Sequence, residues 1–480
     1  MVVLVLVVAA LSISLHLRGH GWGDDFALCL RQSKSLIDGN IGQVISDNHF
    51  NVDNAAKPGF SPYVYPWGFP ILLAPFYRVF GLDYARLKLV EVVSLCGFLW
   101  FFHELLRRRM PKWLAFGTVA AVGTTLTYLR HTDSLLSEYP YMLVAAITLW
   151  WLDRCRRNGP LDTATRGQLI TLGLLAMAVF NTRREGLAIV PAIAIVQLID
   201  LRTRRHSADL RRAATPYVAF TLGVIVMQFM LPSAIAPSYE GAGLHQTWRK
   251  LQGPFRAAFA DQLGFPQLRS VGLGAVCVLV VAGVVLRLRR DAAADAPLIV
   301  FAVGSMVIVG MIPAQSDRYL LGVTPFALYF AVQAIAALKL PRMNAPWLAM
   351  AAVGILILAH VAKLPDPIGD VRRANASGAV VDGPESPYAQ AGFAAIRTYT
   401  HQDDVVAFFK ARALTFYTNR RAVQSSELEI VRQRADYFLM RRGSTFSQPL
   451  VTDSAGTDMG WTVVWQDGTW VLWRLTPLSG

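Results

Sequence analysis

The first residues able to do chemistry are two adjacent carboxylates, Asp24 and Asp25, within His20 to Gly39, HGWGDDFALCLRQSKSLIDG. They open a helical pattern in which Phe26, Leu30, Ser33 and Ile37 share a stripe, with Arg31 and Lys34 nearby. Asp38-Gly39-Asn40 is its stop signal. One carboxylate placed there can cap the helix, a contact worth about 1 kcal/mol. The other is then spare for acid–base work, and local sequence supports both roles. Three further stretches set charges of both signs against apolar segments: Arg130-His131-Thr132-Asp133, Arg183-Arg184-Glu185 and Gln315-Ser316-Asp317-Arg318. Charge at a membrane boundary is expensive unless paired or used, so each stretch marks either a plain span end or a functional site.

The elements that must position these groups follow from composition. The chain has 480 residues, 54% hydrophobic and only 16% charged, with a mean hydropathy of +0.38. A soluble protein of this size carries far more charge. Apolar runs approach the ~20 residues needed to cross ~30 Å of hydrocarbon. The expectation is a polytopic, all-α membrane protein with about eleven transmembrane helices: the N-terminal run to Leu17, then runs near 85–105, 113–130, 135–152, 168–182, 186–201, 214–235, 270–287, 297–313, 319–338 and 345–362. Basic clusters follow alternate spans: Arg107, Arg108, Arg109 and Lys112; Arg154, Arg156 and Arg157; Arg202, Arg204, Arg205, Arg211 and Arg212; Arg287, Arg289 and Arg290; Lys339 and Arg342. The positive-inside rule makes that side cytoplasmic, with the N-terminus inside and all four charged stretches outside. The net charge of +14 is thus topological, and without aromatic interleaving it does not describe a nucleic-acid surface. The four cysteines form no CxxC pair, so neither a zinc site nor a disulfide framework is expected. No basic n-region or cleavage pattern is present, and no signal peptide is expected.

Between the first two spans lies an outer loop, about 18–83. It carries the run Ser61-Pro62-Tyr63-Val64-Tyr65-Pro66-Trp67-Gly68-Phe69-Pro70 and then an apolar stretch too short to cross, expected to lie in the interface. From about Lys363 a Pro- and Gly-containing linker leads to a small extracytoplasmic α/β domain, 363–480. Its expected elements are a helix over Tyr388 to Tyr399, strands at Val405–Phe409 and Ala435–Met440, and a Trp461–Trp473 hairpin turning at Asp467-Gly468. The transmembrane part, 1–362, is expected to be the catalytic domain. No active-site motif stands out in the C-terminal segment, and its Asn375-Ala376-Ser377 sequon is of a kind common by chance.

The order of features carries the strongest signal. The acidic pair after the first span comes first. Then come Tyr65-Pro66-Trp67-Gly68-Phe69-Pro70 before an interfacial helix, Ser137-Glu138-Tyr139-Pro140 opening the fourth span and Thr182-Arg183-Arg184-Glu185-Gly186 opening the sixth. Asp317-Arg318-Tyr319 opens the tenth, and a soluble outer domain closes the series. Over about residues 15–340 this order resembles the GT-C glycosyltransferases, in the protein-mannosyltransferase-like branch that includes aminoarabinose transferases and rhizobial lipopolysaccharide glycosyltransferases. The resemblance implies transfer of a sugar from a polyprenyl-phosphate-linked donor to an envelope glycan, lipid or protein acceptor outside a bacterial plasma membrane. It places the catalytic carboxylate in the acidic pair, at Asp24 or Asp25; the second position is more often Glu in relatives, which leaves the base open between them.

Physical chemistry agrees with that expectation. An acceptor hydroxyl is a poor nucleophile and needs a positioned base, worth ~10²–10⁴-fold. Burial at a membrane boundary raises a carboxylate pKa toward a useful value. A phosphate leaving group suits arginine forks, which makes Arg183, Arg184 and Arg318 donor-binding candidates, with Lys88 a weaker one. Direct in-line attack would invert the anomeric carbon. A monophosphate leaving group is stabilised by arginine alone, so no cofactor is required. His131, Asp133 and Glu138 would form an oxygen-rich divalent-metal site or, in their ordinary reading, bind sugar or acceptor with Glu185. Tyr65 and Trp67 stack on sugar or anchor the interface, and Lys88 and Glu91 are spaced to pair on one helix. The rival is a transporter or flippase of a lipid-linked substrate, which calls for related halves and mid-membrane charge; no internal repeat is present and the conspicuous charges sit at outer span ends.

Overall fold

The computed structural model describes residues 1–55, 62–203, 209–235, 269–311, 316–338 and 345–476. Ser61, Arg204, Arg205, Gln315, Lys339 and Arg342, which entered the sequence reading, lie outside the described residues. The chain divides into two compact units. One holds Met1–His16, Lys88–Met230 and Gly241–Arg373; the other holds Leu17–Leu87, Leu231–Glu240 and Ala374–Gly480. The hydropathy boundary near 363 cuts the chain once, whereas compactness places the acidic-pair loop with the C-terminal segment.

The first unit is helical. Its core is apolar on nearly every side of its central helices, with Leu95, Leu99, Phe102, Val119, Tyr139, Leu149, Leu172, Val196, Phe301 and Tyr329 all buried. A helix stands at each expected span. Among the described residues, four helical stretches are long and apolar enough to cross a membrane: Tyr84–Leu106, Leu210–Met230, Gly272–Gly310 and Ala345–Ala376. They support a membrane location. Shorter apolar helices occupy other expected spans, such as Val2–Ser14 and Thr324–Ala336, so the eleven-span count remains an expectation of the sequence.

Two spans depart in detail from the expected boundaries. The third span breaks into Lys112–Gly123 and Leu126–His131. There the Thr124 and Thr125 hydroxyls donate back to the Ala120 and Ala121 carbonyls at 2.9 Å, a bond that competes with the helix ladder. The eighth and ninth spans are two helices that abut at a kink, Asp291 (φ −156°, ψ 76°), within the stretch Arg269–Gly310. The first of them closes on Thr324–Ala336 through Gly283, where any Cβ would fall 1.9 Å from the Phe330 carbonyl oxygen.

Several basic residues that marked topology are not loose loop charges. Arg109 is buried and forks onto Asp153 at 2.6 and 2.9 Å, with its Nε 3.4 Å from Asp295. Asp295, fully buried, also accepts from Arg287 Nε at 2.7 Å and from the Tyr329 hydroxyl at 2.8 Å. Arg156 donates to Asp200 at 3.0 Å. These arginines are neutralised inside the unit.

The second unit is α/β. Its strands are β1 (Val405–Ala407), β2 (Arg421–Val423), β3 (Tyr437–Arg441), β4 (Thr462–Gln466) and β5 (Trp470–Arg474), in the order β2-β1-β3-β5-β4. β1 pairs in parallel with β2 and β3, while β5 pairs antiparallel with β3 and β4. The expected hairpin turns at Asp467, whose carboxylate accepts from the Thr469 and Trp470 N–H groups at 2.7 Å. Period-two alternation sends Trp470 and Leu472 to one core with Phe393, Ile396 and Leu414, and Val471 and Trp473 to another with Val431 and Trp461. Helix Pro387–Tyr399 stands where expected. Helix Ala411–Thr418 and strand β2 were not foreseen.

Candidate active site

In the second unit the acidic pair sits at the start of helix Asp25–Asp38, with Asp24 at the N-cap. Its side chain makes no capping hydrogen bond, so the capping role expected for one carboxylate does not fall to Asp24. The Asp24 side chain is only 11% exposed, with Oδ2 3.9 Å from Lys410 Nζ. Burial pushes its pKa above the ordinary 3.8, although Lys410 and Arg412 draw it down; the neighbouring Asp25 charge adds to the rise. Asp25 is tied instead: its Oδ1 accepts the Tyr65 hydroxyl at 2.7 Å.

That tie is held from behind by Arg412, a buried cation in the first turn of Ala411–Thr418. Its Nε donates to Asn48 Oδ1 at 2.7 Å and its Nη2 to the Pro62 carbonyl at 2.9 Å. The guanidinium lies over the Tyr65 ring, 5.3 Å from its centre. The Tyr65 hydroxyl is thus engaged by Asp25 and one face of its ring by Arg412. Trp67, expected at a sugar or lipid surface, is fully buried and donates to the Pro232 carbonyl at 3.0 Å.

The approach to the pair is fixed as well. The Val381 N–H donates to the Arg18 carbonyl at 2.9 Å and the Trp22 N–H to the Asp382 carbonyl at 3.3 Å. Gly383 permits this, since a Cβ there would fall 1.8 Å from the His20 carbonyl oxygen. Lys410, Arg412, Asp382 and Gly383 were missed by sequence reasoning. The one available signal was Lys410-Ala411-Arg412, two cations directly after the apolar run Val405 to Phe409.

In the first unit a second cluster forms. Arg183 Nη1 is 2.8 Å from Glu138 Oε1 and 3.2 Å from the Ser137 hydroxyl, and Arg183 Nε donates to Glu185. Arg318 Nε is 3.4 Å from the same Glu138 oxygen. Both guanidinium groups lie over the Tyr319 ring, at 5.5 and 5.2 Å. Two of the charged stretches, through Arg183 with Glu185 and through Arg318, thus meet at the span-opening motif Ser137-Glu138. Arg184 does not join them; it turns back over Phe180, 4.3 Å from the ring centre, and donates to the Phe180 carbonyl.

Lys88 is buried and bonds Asp133 at 2.6 Å, so the expected Lys88–Glu91 pair is replaced; Glu91 accepts from the Leu136 N–H at 3.2 Å. His131 ends the short helix Leu126–His131. Among the described residues no group of three or more His, Cys, Asp and Glu side chains could hold a metal ion. Asp133 faces Lys88 and Glu138 faces arginine, so His131, Asp133 and Glu138 do not make the metal site considered above.

Comparison with solved structures bears on the fold. ArnT from Cupriavidus metallidurans bound to undecaprenyl phosphate is 13% identical, with a TM-score of 0.58 over 100% of this chain and 99% of that one. Its apo form matches at 12% identity and the same TM-score, over 98% and 97%. The Archaeoglobus fulgidus oligosaccharyltransferase AglB, in complex with an inhibitory peptide and a dolichol-phosphate, is 10% identical, with a TM-score of 0.54 over 92% of this chain and 69% of that one. These are GT-C glycosyltransferases, and at such identity the likeness shows that this chain has their fold. No protein-family model and no curated protein sequence matches it.

Proposed function

We propose that the chain is an integral-membrane glycosyltransferase. It moves a sugar from a polyprenyl-phosphate-linked donor to an acceptor hydroxyl of an envelope glycan, lipid or protein on the outer face of a bacterial plasma membrane. The N-terminus is then cytoplasmic and the C-terminal segment extracytoplasmic. The lipid phosphates bound by ArnT and AglB support the donor class.

Asp24 is the base in this reading, and one observation carries it: Asp24 occupies a helix N-cap without capping, buried beside a cation, while its neighbour Asp25 is fastened to Tyr65. The acceptor oxygen bonds to the anomeric carbon as its proton passes to Asp24. The bond from that carbon to phosphate breaks, and the polyprenyl phosphate leaves with the electron pair. Attack from the face opposite the phosphate inverts the centre. Arg318 and Arg183 take the phosphate charge; Arg318, more exposed and 3.4 Å from Glu138, is the readier of the two to exchange carboxylate for phosphate oxygen. Glu185 acts on that cluster through Arg183 and His131 through Glu138, while Lys88 and Asp133 pair with each other.

The test is mass spectrometry of envelope glycans and polyprenyl-phosphate sugars from a deletion strain complemented with wild type, Asp24→Asn or Asp25→Asn. Asp24→Asn should abolish one sugar addition while the lipid donor accumulates, and Asp25→Asn should retain measurable transfer. Unchanged glycans in both variants would defeat the reading.

A further inference from the structure

The reading of Asp24 as base leaves the nature of the acceptor open, and the second unit carries a feature that bears on it. The loop after β3 is tightly built. Gln448, nearly inaccessible, donates to the Arg441 and Ser444 carbonyls at 2.7 and 2.6 Å and accepts from the Arg441 N–H at 3.1 Å. Ser447 has a φ of +53°, a left-handed conformation that a non-glycine residue adopts at a cost. What this loop presents is Phe446, 60% exposed.

An exposed phenyl ring on a braced loop is not placed at random here. Lys410 Nζ lies 5.1 Å from its centre, and that same ammonium is 3.9 Å from Asp24 Oδ2. The Phe446 ring also meets Phe409 edge-on at 6.4 Å, and Phe409 meets Trp22 at 4.9 Å. Trp22 donates to Asp382 at 2.8 Å, and Arg441 lies over the Tyr388 ring at 5.2 Å. The surface beside Asp24 is therefore aromatic with charged hydrogen-bonding groups at its edge.

The gap between Lys410 and Asp24 is wider than a direct charged hydrogen bond of about 2.8 Å. An oxygen can sit at about 2.8 Å from both, since two such contacts span up to about 5.6 Å. A hydroxyl there would donate to the carboxylate and accept from the ammonium, which is the ground state that general-base attack requires.

We propose that Lys410 and Phe446 form the acceptor subsite, and that the acceptor is a saccharide: one hydroxyl bridges Lys410 and Asp24 while a C–H face of the same ring rests on Phe446. This rests on Asp24 being the base. Aromatic stacking fits a pyranose, whose ring has an apolar face among its hydroxyls; a serine or threonine side chain has no such face.

Saturation-transfer NMR on the full chain in detergent tests this without any transfer reaction. The probes are methyl hexopyranosides and, separately, a serine- and threonine-containing peptide. Ring C–H protons of a glycoside should receive saturation in wild type. Binding should weaken roughly two- to tenfold in Phe446→Ala and return in Phe446→Trp, as loss and recovery of one stacking contact require. Equal signals in wild type and Phe446→Ala, or Phe446-dependent saturation of the peptide alone, would overturn the proposal. Asp24→Asn should keep glycoside binding; if it also keeps transfer, the base assignment fails while the saccharide subsite stands.

Discussion

As the proposed base, Asp24 would owe its reactivity to what surrounds it. Burial raises its pKa above 3.8 and Lys410 restrains the rise, so the folded chain holds the Asp24 proton more tightly than the unfolded chain does. Ionised Asp24 costs stability once the pH exceeds the ordinary carboxylate value, and the proposed general-base activity, which needs the ionised form, is lost as pH falls through the raised value. Asp24→Asn should therefore unfold in detergent at a temperature no lower than wild type near neutral pH. Lys410→Met should shift the acidic limb of the rate profile to higher pH, because the nearest cation is gone. A limb that stays put, measured across the pH range at saturating donor, would remove Lys410 from the site. Tyr65 belongs to this scale too. Its hydroxyl fastens Asp25 and its ring lies under Arg412, so its role follows from a cation 347 residues away in sequence, which no local pattern discloses.

Helices and strands were legible where period and composition agreed. The alternation from Trp470 to Trp473 and the turn at Asp467-Gly468 disclosed the hairpin, and the apolar runs disclosed helices at each expected span. Strand β2 escaped because Arg421-Ala422-Val423 is only three residues long and draws its order from pairing with β1. A break between the eighth and ninth spans was expected and the kink at Asp291 falls within it; what escaped was the tertiary network across it, in which Arg287 and Asp295 join at 2.7 Å with Arg109 and Tyr329 completing it. Breaking one side of such a buried pair costs ~3–5 kcal/mol, whereas replacing both partners with apolar groups is often neutral. Asp295→Leu or Arg287→Met alone should lower the melting temperature in detergent, and the double substitution should recover most of the loss. Additive losses in the double variant would show that the network does not couple the two helices. The same network explains why charge counting read Arg109 and Arg287 as loop residues: a sequence displays their charge but not the carboxylates that neutralise it.

At the scale of the whole chain, hydropathy divides the sequence once, near residue 363, while compactness gathers Leu17–Leu87 with Ala374–Gly480. The candidate base and its neighbours Lys410 and Arg412 come from those two distant segments, and only folding unites them. The arginine cluster was more legible, since Arg183, Glu185, Glu138 and Arg318 each opened an apolar run. What no reading of single motifs supplied was the pairing among them. The proposed transfer inverts the anomeric carbon with no covalent sugar–enzyme intermediate, and it turns on Asp24. The most direct measurement is single-turnover transfer by the purified chain, using the lipid-linked sugar recovered from the Asp24→Asn strain and reading the anomeric configuration of the product by NMR. The account predicts inversion in wild type and a rate at least ~10²-fold lower in Asp24→Asn. Retention of configuration, or equal rates in the two proteins, would contradict it.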